Sequence, residues 1–305
     1  MEKFRKVKKI FKGQRVLEGA GVKLKRIFGN NDTTLTDPFL LLDDFHSDKE
    51  EDYIKGFPQH PHRGIETITY VLYGDVRHGD SLGNSGTISD GDVQWMTAGS
   101  GIIHEEMPEG DDKGLMWGFQ LWANLPRSQK MCKPLYRDVK NSDIPKLTLD
   151  NGTKIKIISG EVNGVKGPVA DIAIKPEYLD ITLPAGISFT RSFENEHTVF
   201  AYIIEGDVEI KEDDSPAAAT AESKTDALFS HNADKGKTAV PKEQLVLFDA
   251  GDAVRITGGS KGGRFLLVSG KPLKEPVAWY GPIVMNTDDE IKTAIRDLKE
   301  GTFIK

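Results

Sequence analysis

Two short stretches carry the residues best suited to chemistry. One is His60-Pro61-His62, and the other is His104-Glu105-Glu106. In a β-strand, residues i and i+2 point to the same face, so His60 with His62, and His104 with Glu106, each converge on one point. Three imidazoles and one carboxylate form a mixed nitrogen and oxygen set that suits Fe, Mn, Ni, Cu or Zn, whereas Ca and Mg favour all-oxygen shells. A His-x-His pair alone also occurs as two polar residues on a wet strand face. The second cluster, preceded by the turn residues Gly91, Gly99 and Gly101, raises this pattern to a site, and the two stretches hold three of the seven histidines. Glu66 lies four residues after His62 and shares its strand parity, so parity leaves Glu66 and Glu106 as alternative acidic ligands. Glu105 faces the other way.

These groups need strands to position them. Residues 15–28 read as strand and turn. The apolar run 39–42 reads as a buried strand that Asp43 and Asp44 end as surface or rim groups. Residues 66–72 are strong strand formers closed by Gly74, and 77–91 has the profile of hairpins, with His78, like His46, read as a polar loop residue. Trp95, Trp117, Phe119 and Trp122 fill either a barrel interior or a wall for a flat substrate, and position alone does not separate the two. Residues 126–145, polar and proline-bearing, read as an interdomain connection. Beyond it, residues 200–210 parallel the strand ending at Gly74, and Gly251-Asp252-Ala253-Val254 parallels Gly91-Asp92-Val93, which indicates a duplicated unit. The second copy keeps only His197 and has no His-x-Glu, so it reads as a structural partner. Residues 213–242 are poor in aromatics and read as a mobile insertion, which discounts His231 as a ligand. Thr287 to Gly301 reads as one helix with its cap, acidic first turn and glycine stop, and with Ile291, Ala294, Ile295 and Leu298 as its apolar face.

The chain of 305 residues suffices for one large or two ordinary domains, and its net charge of −7 argues against a general nucleic-acid or membrane-surface binder. A single cysteine, Cys132, excludes an internal disulfide framework and fits a reducing compartment. Stretches of 18 or more apolar residues are absent. The basic residues 1–12 lack the apolar core of a signal peptide and read as a solvated arm leading into a first strand, with a nuclear or organelle address as the alternative. A cytoplasmic or nuclear protein is the expectation.

Four segments then carry a resemblance: Asp37-Pro38-Phe39-Leu40-Leu41-Leu42-Asp43-Asp44-Phe45, His60-Pro61-His62-Arg63-Gly64, Asp92-Val93-Gln94-Trp95-Met96-Thr97-Ala98-Gly99-Ser100-Gly101-Ile102-Ile103-His104, and Gly281-Pro282-Ile283-Val284-Met285-Asn286-Thr287. In that order, from about residue 15 to the C-terminus, the chain resembles the pirin family of the cupin superfamily. The resemblance implies an all-β fold of two tandem cupin-type β-barrels (jelly rolls) with a short C-terminal α-helix. It implies a metal-binding domain over 1–135 and a metal-free domain over 136–305, with the insertion longer than the family pattern. Pirins take their acid two residues after the histidine of the second motif, which selects Glu106 over Glu66. The implied ligand set is His60, His62, His104 and Glu106 around one iron per chain, with other divalent metals as alternatives. The implied activity is that of a quercetin 2,3-dioxygenase, a flavonol opened by dioxygen with loss of carbon monoxide, with Glu106 doubling as catalytic base. The competing implication is a redox-sensitive nuclear cofactor that binds transcription regulators, the iron charge altering the field at a barrel mouth near Arg63 and Lys55. A monomer without nucleic-acid or membrane contacts is expected in either case.

Overall fold

The computed structural model describes residues 3–211 and 237–305, and most of them lie in strands. Two compact units emerge, neither continuous in sequence: residues 12–145, 157–177 and 270–305 form one, and residues 1–11, 146–156 and 178–269 the other. The strand Val7–Phe11 finds its hydrogen-bonding edge on Leu245–Phe248, and the C-terminal helix finds its apolar bed on Ile103, Ala278, Ile283 and Met285.

The unit that carries the histidine pairs contains a seven-stranded antiparallel sheet. Its order is Leu135–Val139, Val93–Thr97, Ile65–Tyr73, Met116–Asn124, Phe39–Ser47, Val22–Phe28, Gln14–Glu18. A four-stranded sheet, in the order Phe57–His62, Ile102–Glu109, Asp75–Asp80, Ser85–Ile88, closes over it. Val22, Leu24, Phe45 and Val71 from the first sheet share one core with Val76 and Ile88 from the second, which is the cupin jelly-roll arrangement. Each such fully buried aliphatic or aromatic side chain contributes about 1.5–3 kcal/mol. Ile65–Tyr73 is central and buried on both faces, which its run of β-branched and aromatic residues suits.

The second unit is built on a sheet that, among the described residues, has nine strands. Its path runs Val7–Phe11, Leu245–Phe248, Thr198–Lys211, Ala253–Gly270, Glu177–Leu183, Lys154–Ser159, Lys146–Thr148. Lys237–Pro241 pairs with Thr198–Lys211. The expected insertion 213–242 is thus a strand over its last residues, while 213–236, with His231, lie outside the described residues. His197 is buried here, and its carbonyl accepts a hydrogen bond from Arg5 Nη1 at 2.7 Å. The N-terminus is accordingly not a solvated arm, because Arg5 is buried and residues 7–11 are a sheet strand.

Other local expectations change for similar reasons. Asp43 and Asp44 do not end their strand, which continues to Ser47, and both are buried within it. His46 lies on that strand, stacked on Trp117 with ring centroids 4.0 Å apart, not in a loop. The connection expected over 126–145 contributes the strand Leu135–Val139, paired with Val93–Thr97. The C-terminal helix, Asp288–Glu300, forms as its sequence dictates: Thr287 and Glu290 make a reciprocal capping box, and Gly301 closes the helix in the left-handed region. Ile291 and Ala294 are buried, with Ile295 and Leu298 packed beside them. Among the described residues no helix is long and apolar enough to cross a membrane.

Candidate metal centre

Phe57–His62 and Ile102–Glu109 are antiparallel neighbours with His104 paired to His60, so the two motifs meet through backbone pairing and the side chains follow from strand parity. His60, His62 and His104 offer ring nitrogens that all lie within 4.8 Å of one another. Their ring centroids are 4.4–5.0 Å apart. His62 Nδ1 donates to the Pro282 carbonyl at 3.0 Å, and His60 Nδ1 to the Pro58 carbonyl at 2.9 Å, because a carbonyl can only accept. Both Nε2 atoms therefore carry lone pairs, yet they face each other at 3.1 Å. His104 Nε2 is buried with no hydrogen-bond partner. Two lone pairs 3.1 Å apart repel one another unless a cation sits between them, and with the unpartnered His104 Nε2 beside them the donor set fits a divalent transition metal. Burial is the largest cause holding His62 and His104 well below the ordinary imidazole range, with the neighbouring imidazoles adding to it. Both are neutral near pH 7, the form that ligates metal.

The two competing acids are placed very differently. Glu106 is buried two residues from His104, but it does not join the grouping of nitrogens within 4.8 Å. Its Oε1 accepts from Thr69 Oγ1 at 2.9 Å and its Oε2 from Gln120 Nε2 at 2.8 Å, and Trp122 Nε1 in turn donates to Gln120 Oε1 at 3.0 Å. Glu66 accepts instead from Thr97 Oγ1 and Trp95 Nε1. The parity argument that made it a rival fails at Gly64: His62 ends one strand, Ile65 begins another in a different sheet, and Gly64 between them has φ +80°. A side chain at Gly64 would collide with the Val284 carbonyl oxygen, so only glycine makes this turn. Gly99 is under the same constraint from the Cys132 carbonyl, and it sets up the turn that leads into Ile102–Glu109.

A cavity of about 600 Å³ opens on His60 and His62. Trp122 packs edge-on against His62 at 5.0 Å and stacks on Trp279 at 5.9 Å, and both indoles line the cavity. Trp95, by contrast, is fully buried, which resolves the question that sequence left open: Trp122 is wall and Trp95 is packing. Trp279 escaped the sequence reading, although it stands two residues before the Gly281-Pro282 segment. Five side chains on the seven-stranded sheet form one cross-strand polar row: Arg26, Asp43, Gln120, Thr69 and Gln94 are successive partners. Burial is the largest influence on Asp43 and pushes it up to about 6 against the opposing pull of Arg26.

The surroundings of the triad also revise two histidine and arginine roles. His78, expected in a polar loop, is buried on Asp75–Asp80 as the cross-strand partner of Glu106, and hydrogen-bonds Tyr136 Oη. Arg63 does not face a barrel mouth. Its guanidinium is buried, donating to the Ser100 carbonyl at 2.7 Å, to Asp297 Oδ2 at 2.8 Å and to the Phe303 carbonyl at 2.9 Å. Lys130, also buried, donates to the Gly64 and Val284 carbonyls at 2.8 Å, so the turn after His62 is held from both sides.

Comparison with known proteins agrees with this architecture. The family model described as Pirin matches residues 21–123, and that described as Pirin C-terminal cupin domain matches residues 178–304. A pirin-like protein of Caulobacter vibrioides is 40% identical, the match covering 98% of this chain and 99% of its relative. Pirin of Mus musculus is 39% identical over 92% of this chain and 88% of its own. The crystal structure of a quercetin 2,3-dioxygenase from Acinetobacter baumannii superposes with a TM-score of 0.82 at 30% identity, covering 99% of this chain and 100% of that one. With matching models over most of its length and relatives near 40% identity along nearly all of it, the chain belongs to the pirin family.

Proposed function

We propose that this protein is a metal-dependent dioxygenase that opens a planar hydroxylated aromatic of the flavonol class, with one iron held by His60, His62, His104 and Glu106. The observation that carries the reading is three imidazoles whose ring nitrogens lie within 4.8 Å of one another, two with lone pairs facing each other and the third buried without a partner, beside a cavity walled by two stacked indoles. The similarity to the Acinetobacter baumannii quercetin 2,3-dioxygenase supports the choice of substrate class. When bound, the iron would supply a Lewis-acidic, redox-active centre for dioxygen and an aromatic hydroxyl. The chain does the rest. The Pro282 carbonyl fixes the His62 tautomer and ring orientation. Trp122 and Trp279 hold a flat ring and exclude water from one side of the cavity. Glu106 is the acidic ligand and the proton acceptor, its two oxygens steadied by Thr69 and Gln120 so that neither swings away.

The test begins with metal content. Protein purified without chelators carries about one iron-class ion per chain, His62→Ala and the His60→Ala/His62→Ala double variant lose it, and His78→Ala and His197→Ala do not. Equal metal in the natural chain and the double variant would sink the assignment. The iron-loaded protein then consumes oxygen and bleaches a flavonol in step, and the double variant does not. A binding module instead shows no uptake with any flavonol, together with different affinity of its ferrous and ferric forms for a partner protein.

A further inference from the structure

The cavity has a second end that the metal reading does not use. Arg26, Asp43 and Glu18 line it together, and Arg26 is the sole Lys or Arg among the lining residues. All three of its nitrogens are already engaged: Nε donates to Asp43 Oδ1 at 2.9 Å, Nη2 to Asp43 Oδ2 at 2.8 Å and Nη1 to Glu18 Oε1 at 2.7 Å. One cation set against two carboxylates leaves this end negative. Each engaged carboxylate oxygen keeps a further lone pair, so the end offers mostly acceptors. Asp43 is nearly covered and rigidly forked onto the guanidinium, while Glu18 is partly open. In sheet register Asp43 is the partner of Gln120, which donates to Glu106 on the facing four-stranded sheet, so this end is joined to the metal end through that hydrogen bond.

An anionic ligand would meet two carboxylates and a guanidinium whose single charge they already offset, which costs far more than a neutral donor does. A ring hydroxyl, by contrast, donates to a carboxylate in a charge-assisted hydrogen bond. We propose that Asp43 and Glu18, pinned by Arg26, form a hydrogen-bond-accepting pole that selects planar aromatics by hydroxyl groups on the ring end remote from the metal and rejects carboxylates and phosphates. This rests on the cavity being the substrate site of the proposed dioxygenase. It makes Asp43 and Glu18 specificity residues, with Arg26 positioning them.

The experiment measures equilibrium binding at pH 8 to chelator-stripped protein, so that neither metal chelation nor turnover contributes. The probes are 2,3-dihydroxynaphthalene, 2,3-dimethoxynaphthalene and naphthalene-2-carboxylate, three flat molecules of one size. Binding is followed by quenching of the Trp122 and Trp279 fluorescence and checked by calorimetry. The diol binds the natural chain about tenfold more tightly than either other probe, the worth of one charged hydrogen bond. Asp43→Asn loses about that factor for the diol and gains affinity for the carboxylate, because Arg26 nitrogens are released. A merely structural role for Asp43 would weaken all three probes alike. Glu18→Gln, at a more exposed position, shifts the same order in the same direction by a smaller factor and carries the test if Asp43→Asn does not fold. Equal binding of diol and dimethoxy compound, or an unchanged order in the folded variants, overturns the pole. Absence of oxygen uptake, by contrast, overturns the dioxygenase and leaves this binding order intact.

Discussion

Asp297→Asn probes how the C-terminal helix holds the proposed metal centre. The carboxylate lies against a guanidinium that is only 1% exposed, and Lys305 Nζ lies 3.4 Å away on its outer side. Substituting the amide keeps the shape and one acceptor oxygen but removes the charge that compensates a buried cation. Breaking a buried pair in this way costs about 3–5 kcal/mol, and a charged hydrogen bond alone about 1.5–3. The Ser100 and Phe303 carbonyls and the Phe303 ring, whose centroid is 4.1 Å from the guanidinium carbon, still hold Arg63, so roughly 2–3 kcal/mol is expected. For a unit of this size that corresponds to about 4–12 °C in Tm. The effect reaches the site because Arg63 follows His62 directly, and because the Val284 amide donates to the Arg63 carbonyl while the neighbouring Pro282 carbonyl orients the His62 ring. Loosening that frame lowers metal affinity by about tenfold, the effect typical of partners that orient a ligand. Calorimetric unfolding and competition titration against a metal indicator read both quantities. A Tm within about 2 °C of the natural chain, or an unchanged affinity at a lowered Tm, refutes the coupling.

Three further outcomes are expected. Glu106→Gln weakens metal binding by about tenfold or more, whereas Glu66→Gln, whose bonds go to Trp95 and Thr97, leaves it nearly intact; the reverse order in a metal titration assigns the acid to Glu66. Burial pushes Lys130 down to about 7, against the pull of Glu275 and Glu290. An unfolded lysine keeps its proton to about pH 10.4, so between these values the unfolded chain binds more protons and stability rises with pH. The stability of the natural chain minus that of Lys130→Met, read from urea unfolding, therefore rises from pH 7 to pH 9.5, and a difference that falls contradicts the placement. Thr287→Ala costs about 1 kcal/mol of local stability by removing the helix cap, while Thr287→Ser does not; hydrogen exchange of the amides at 288–291 distinguishes them.

The sequence by itself determined whatever depends on neighbours a few residues away. Period-2 spacing put His60 with His62 and His104 with Glu106, and the run of strand formers 66–72 made a strand. Thr287, Glu290 and Gly301 set the limits of the C-terminal helix. The motif order was specific enough to identify two cupin barrels. Tertiary structure alone decided what long-range pairing controls. Strand parity is a local rule, and it resets wherever a left-handed glycine turns the chain, which is why Glu66 lost its apparent alignment with His62 at Gly64. The carbonyl that orients His62 comes from Pro282, 220 residues later, and the partner of Arg63 is Asp297, 234 residues later. The same holds for Trp279 against Trp122, for Tyr136 against His78, and for the first strand's edge on Leu245–Phe248. Nothing in the spacing of these residues announces such contacts, because burial of charge and pairing of sheet edges are settled only when distant strands close around one core.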